Sequence, residues 1–204
     1  MAQFVDFIVG MFGTRAIEII AVLCGLVNVG LIIRRSIWNY PFGILMVILY
    51  AWIFYDVRLY SDALLQIFFL FIQVIGIFTW LNARDDDGLV KPTDLPLRAA
   101  AVWVVAAIIA SFALGHVMAT RTDADFPYWD ATTTVLSVIA QYLMARRYLQ
   151  SWLVWITVDV LAIGLYWQKD LTPTAALYLI FLGMAVTGYL NWRQSMQPSK
   201  AAYA

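Results

Sequence analysis

Trp152, Trp155 and Asp159 fall at i, i+3 and i+7 of one long apolar stretch, which puts them on one face of a helix. Their types could hold a flat, positively charged solute. Indole faces attract cations and stack on flat rings, and an ionised carboxylate only accepts hydrogen bonds and favours positive charge. Asp159 sits eight residues inside its stretch, and no Lys or Arg lies at that depth anywhere in the chain. A carboxylate so placed needs a neutral donor, a proton or a cationic ligand as its partner.

Other polar residues line up at helical spacing. Asp130, Thr134, Ser137 and Gln141 share one face, as do Asp62, Gln66 and Gln73, with Phe69 among them. Thr174, Tyr178 and Asn191 roughly share another, and Glu18, Gly25 and Asn28 make a weaker stripe. A set of Trp152, Trp155 and Asp159 with Gln66, Gln73, Gln141 and Tyr178 suits a small, flat, polar ligand. The structural alternative is interhelical hydrogen bonding by Ser, Thr, Asn and Gln, which we favour for Asn28, Thr134 and Ser137 taken singly. Glu18 and Asp130, near the starts of equivalent helices, also suit the helix dipole.

Catalytic constellations are not seen. His116 is the only histidine and reads as interfacial, and no nucleophile–base set, phosphate loop or metal-ligand spacing occurs. The chain therefore reads as a non-enzyme with no cofactor and no metal. Asp85, Asp86 and Asp87 form a solvated loop, since three consecutive acids cannot all face one ion from a regular element. The single Cys24 cannot form an internal disulfide.

The elements that must position these residues are membrane helices. Of 204 residues, 63% are hydrophobic and only 13% charged, with mean hydropathy +0.79. That excludes an ordinary soluble domain, and zero net charge gives no reason to expect nucleic acid as a partner. Seven apolar segments, 15–34, 40–57, 62–81, 97–118, 128–146, 151–168 and 173–192, each have the length to cross a hydrocarbon core. Backbone satisfaction in lipid makes them helices. The first dozen residues show no cleavable signal and read as an interfacial turn or two.

Residues 15–80 reappear without a gap at 127–192, at a separation of 112. Arg34 and Arg35 land on Arg146 and Arg147; Leu59, Ala63, Phe69, Gly76 and Trp80 land on Leu171, Ala175, Phe181, Gly188 and Trp192. The expected fold is an all-α membrane protein of seven transmembrane helices, a 3+1+3 parallel repeat. Its parts are an N-terminal extracytoplasmic segment at 1–14, a first triple-helix repeat at 15–81 and a linker with the fourth helix at 82–126. A second repeat at 127–192 and a cytoplasmic tail at 193–204 follow. Such repeats are a transporter architecture, in which solute sites tend to form where repeats meet. Nine Lys and Arg fall on one side and four on the other, so the N-terminus is expected outside and the C-terminus in the cytoplasm. Trp38, Tyr40, Tyr60, Trp80, Tyr128, Trp129 and Trp192 sit at span ends and read as an interface belt. Pro41 and Gly43 are plausible pivots in the second span.

The runs at 38–69 and 127–160 carry a resemblance to the Pnu-type vitamin transporters, above all to their nicotinamide riboside carriers. The pieces that carry it are Trp129 with Asp130, Trp152 with Trp155, and Leu64, Leu65 and Gln66 before aromatics; it covers 15–192. The resemblance implies a SWEET-like fold, a homotrimer in the cytoplasmic (inner) membrane and facilitated diffusion of an unphosphorylated vitamin. A cytoplasmic kinase then traps the product. It implies substrate contacts at Gln66, Gln73, Asp130, Thr134, Gln141, Trp152, Trp155, Asp159 and Tyr178. The lack of an ATPase motif and of a Lys–carboxylate pair fits uncoupled transport. Some riboside carriers have Asn where this chain has Asp159. Asp159 suits the pyridinium of nicotinamide riboside or the thiazolium of thiamine, so thiamine, or less readily riboflavin, is the alternative cargo. A membrane scaffold that transports nothing is the remote one.

Overall fold

The protein is described here by a computed structural model covering residues 14–56, 58, 60–170 and 172–197, without the side chains of 14, 15, 60 and 61. The interfacial reading of the first dozen residues and the belt reading of Tyr60 lie outside the described parts, as does the far end of the tail. The described residues form seven helices: α1 (Thr14–Ile33), α2 (Asn39–Asp56), α3 (Tyr60–Leu81), α4 (Leu97–Arg121), α5 (Pro127–Ala145), α6 (Ser151–Gln168) and α7 (Thr172–Ser195). Five of them, α1, α3, α4, α6 and α7, are long and apolar enough to cross a membrane, rather than the seven expected. The other two carry polar residues that lower their mean hydropathy. In α2 these are Asn39, Pro41 and Asp56; in α5 they are Asp130, three threonines, Ser137 and Gln141.

The chain divides into two compact units, Met1–Leu89 and Val90–Ala204. In the first, α2 packs against both α1 and α3. Ile17, Ala21 and Leu49 form its apolar centre, with Tyr50, Trp52 and Ile53 against them. In the second, α6 packs against both α5 and α7, and α4 lies along α5. Leu95, Ala107, Ile139 and Leu143 knit the α4–α5 seam, with Trp103 and Tyr142 beside them. Tyr128 covers Gly115 of α4, where a Cβ would collide with its ring. Ile108, Ile109 and Phe112 of α4 are exposed, as a helix bordering hydrocarbon requires.

The two units share local devices at the separation of 112 residues. Among the described residues, four non-glycine ones have left-handed backbone: Arg35 (φ 57°) and Arg147 (φ 65°), Arg58 (φ 64°) and Asp170 (φ 55°). Arg35 and Arg147 each end a helix in a Schellman motif. The amide of Ser36 reaches the Leu31 carbonyl at 3.0 Å and that of Arg35 reaches Ile32 at 2.8 Å; Tyr148 reaches Leu143 at 3.0 Å and Arg147 reaches Met144 at 2.9 Å. The next helix starts alike in both. The side chain of Asn39 donates to the Ser36 carbonyl at 2.7 Å, and that of Ser151 donates to the Tyr148 carbonyl at 2.7 Å.

Residues 91–95 do not form a free solvated linker. Thr93 pairs with the α5–α6 joint, donating to Arg147 and accepting from Leu149, both at 2.9 Å. Gln150 accepts from the Leu95 amide at 2.8 Å and donates to Asp94 at 3.1 Å, while Arg147 donates to the Lys91 carbonyl at 2.8 Å. A polar strap thus crosses the joint.

Candidate functional site

The α6 face holds the residues singled out by spacing. Trp155 is half-buried, Asp159 is 4% exposed and Tyr166 continues the same face two turns on. No hydrogen bond or ion pair to the Asp159 carboxylate occurs among the described residues. Trp152 is only 2% exposed. Its ring meets Trp192 edge to face, with centroids 5.6 Å apart and planes at 89°, and lies over Gly188. Its face is therefore packed by protein, but its indole N–H is buried without an acceptor among the described residues. Such a donor costs free energy unless a ligand or water satisfies it. Tyr178 of α7 stacks on Tyr166 at 5.3 Å and 23°, so these two α6 and α7 residues of the site face are brought together.

Asp130 has a nearer partner than a solute. Lys169 Nζ is 3.3 Å from its carboxylate, both side chains being 28% exposed. The expected absence of a Lys–carboxylate pair is thus corrected: the pair joins residues 39 positions apart, at the α5 start and the α6 end, where spacing along one helix could not reveal it. At this exposure the pair is worth little on its own. Next to it, Trp129 donates to the Leu161 carbonyl at 3.0 Å, and its ring fills the space that Gly164 leaves.

The hydroxyls of Thr132, Thr133 and Ser137 are satisfied within α5. Ser137 donates to the Thr133 carbonyl at 2.8 Å and Thr133 to the Asp130 carbonyl at 2.9 Å. Ser137 is therefore not a bridge between helices, contrary to the interhelical reading. Thr134 and Gln141 are half-buried on the same helix.

The first unit contributes Gln73, buried with its Oε1 lacking a partner among the described residues, and Gln66, half-buried. Two residues near Gln73 carry more than their sequence suggested. Asn28 is buried, and its Nδ2 donates to the Asn39 carbonyl at 2.8 Å. Gly43 lies against both amides. The available sequence signal was a glycine inside an apolar stretch, which marks a close approach.

The belt reading is corrected at four positions. Trp80 and Trp192 are 1% and 0% exposed, and Tyr40 is buried. Tyr40 and Trp80 meet edge to face at 5.5 Å and 85°, with the Tyr40 ring over Gly76, which parallels Trp152, Trp192 and Gly188. Trp129 is tied to α6 as described. A ring at a helix end can turn to the headgroups or to a neighbouring helix, and a glycine one turn away favours the second. Trp38 stays 68% exposed, as a belt residue would, and Tyr128 remains exposed in part.

Comparison with known proteins gives these residues a setting. The family model described as nicotinamide mononucleotide transporter matches residues 15–194. The nicotinamide riboside transporter PnuC of Escherichia coli (strain K12) is 27% identical, over 91% of this chain and 88% of its own length. The protein of that name from Neisseria mucosa is 30% identical, over 85% of this chain and 70% of its own. A crystal structure of the vitamin B3 transporter PnuC superposes with a TM-score of 0.74 at 25% identity, covering 93% of this chain and 86% of that one. A match over nearly all seven helices, with the tryptophan and aspartate face inside it, leaves one assignment: the chain belongs to the nicotinamide mononucleotide transporter family.

Proposed function

We propose that this chain is a multi-pass carrier of nicotinamide riboside in the cytoplasmic membrane, a transporter and not an enzyme. The observation that carries the reading is the family match over 15–194 together with a buried Asp159 on the α6 face of Trp155. A pyridinium ring supplies the positive charge that a carboxylate at this depth lacks. Uncoupled movement down a gradient, with phosphorylation by a cytoplasmic kinase, agrees with the absence of a nucleotide-binding motif from the sequence. The substrate contacts in this reading are Asp130, Thr134, Gln141, Trp152, Trp155, Asp159 and Tyr178 of the second unit and Gln66 and Gln73 of the first. Asp130 engages solute only when Lys169 lets go.

The architecture in this reading is a 3+1+3 parallel repeat of the SWEET type, with the N-terminus outside and three copies per assembly. The repeat is supported by the paired left-handed residues and helix starts at a separation of 112. The test is uptake of labelled nicotinamide riboside into proteoliposomes. Saturable uptake that is unchanged when ion gradients are collapsed is expected. No uptake above protein-free vesicles would leave a scaffold, and uptake of thiamine alone would move the cargo and keep the fold.

A further inference from the structure

Asp130 and Lys169 meet at the end of the α5–α6 pair that lies away from the Arg146 and Arg147 joint. Their charged atoms are 3.3 Å apart, and each side chain keeps 28% of its surface exposed. Helix closure does not depend on this pair. At the same end the Trp129 indole N–H donates to the Leu161 carbonyl at 3.0 Å, and its ring fills the space that Gly164 leaves. The first unit has Glu18 and Val57 at the equivalent positions, so no lysine stands there. Its α1 and α2 pack through Ile17, Ala21 and Leu49 instead.

Neither charge needs the other. Asp130 stands in the first turn of α5, and Lys169 is the C-cap of α6. A helix start favours an anion and a helix end favours a cation, so each group keeps a favourable neighbour when the pair parts. A pair this exposed also holds weakly. The lysine stem is long and flexible, and its ammonium can swing away without moving either helix. The contact therefore opens and closes at little cost, and it does so on a carboxylate that the proposed site gives to the solute.

We propose that Lys169 is a tethered competitor for cationic solute at Asp130: its ammonium occupies the carboxylate of the empty carrier, and a positively charged ring takes its place. This rests on the proposed riboside carrier and adds a residue that sets the selectivity of that site. Only the open fraction of the empty protein takes the cation at full strength, so the closed pair lowers the apparent affinity by that fraction. A surface pair of ordinary strength makes this a factor of about two to six. The test is calorimetric titration of the full-length protein with nicotinamide riboside in a double-mutant cycle. Lys169→Met is expected to tighten binding by that factor, and Asp130→Asn to weaken it. Adding Lys169→Met to Asp130→Asn should change nothing further, and Lys169→Arg, which keeps the cation, should show no tightening. Unchanged or weaker binding in Lys169→Met overturns the competitor. Tightening that persists beside Asp130→Asn also overturns it, because the lysine would then act through its field on the whole site. Lys169→Gln repeats the measurement if Lys169→Met fails to fold. Folded wild-type protein that binds no riboside would remove the carrier reading itself, an outcome distinct from an unchanged ratio between variants.

Discussion

The two units use the same frame and fill it differently. Both end a helix on a left-handed arginine, Arg35 or Arg147, and both start the next with a side chain bonded three residues back. Both set a buried tryptophan edge-on against an aromatic ring that covers a glycine: Trp80, Tyr40 and Gly76 in one, Trp192, Trp152 and Gly188 in the other. At mid-helix the correspondence stops. Asn28, Gly43, Val47 and Gln73 stand where the second unit has Ala140, Trp155, Asp159 and Ala185. The positions that hold helices together have stayed alike, while those at the level of Asp159 have diverged in size and charge.

The largest effect is expected where the divergence is greatest. Asp159→Ala should weaken riboside binding by about 10- to 100-fold, the range for a lost charge-assisted contact. Val47→Ala, at the matching position, should change affinity little. Calorimetry of the two variants checks this, and equal effects would break the comparison. The shared frame is tested next. Gly188→Ala drives a Cβ into the Trp152 ring, whereas Gly76→Ala meets chiefly the Tyr40 hydroxyl end. Overpacking of about 1–3 kcal/mol is expected for the first and less for the second, read as Tm in detergent.

The strap separates the units again. Gln150→Ala removes the bonds to Leu95 and Asp94, for a loss of about 1 kcal/mol and faster amide exchange at 93–95. Its counterpart Trp38 is exposed, so Trp38→Ala should leave Tm within about 0.5 kcal/mol of the wild type. The smallest effect belongs to the second pair of joints. Arg58→Gly relieves left-handed strain and should stabilise by roughly 0.5–1 kcal/mol in thermal melts; Asp170→Gly should gain less, because aspartate tolerates that backbone better.

Helix positions were legible in the sequence because long apolar runs and short polar joints leave the chain few options. The fourth and seventh helices run three residues past their expected ends at 118 and 192, to Arg121 and Ser195, and the others fall within about two residues of expectation. The face of Trp152, Trp155 and Asp159 was legible because helical spacing fixes it. What a ring at a helix end packs against was not, since Trp38 and Trp80 look alike in sequence and differ fully in burial. Gly76 and Gly188, one turn before their tryptophans, were the overlooked signal. The Asp130–Lys169 pair and the strap at Gln150 join positions 39 and 55 or more residues apart, and no local pattern encodes such a meeting.

The central claim is that the buried carboxylate face receives a pyridinium riboside. Titrating purified wild-type protein with nicotinamide riboside and with thiamine, by calorimetry, tests it most directly. The account predicts saturable binding of the riboside and none of thiamine at the same concentrations. Tight binding of thiamine alone, or no heat with either ligand from folded protein, would contradict it.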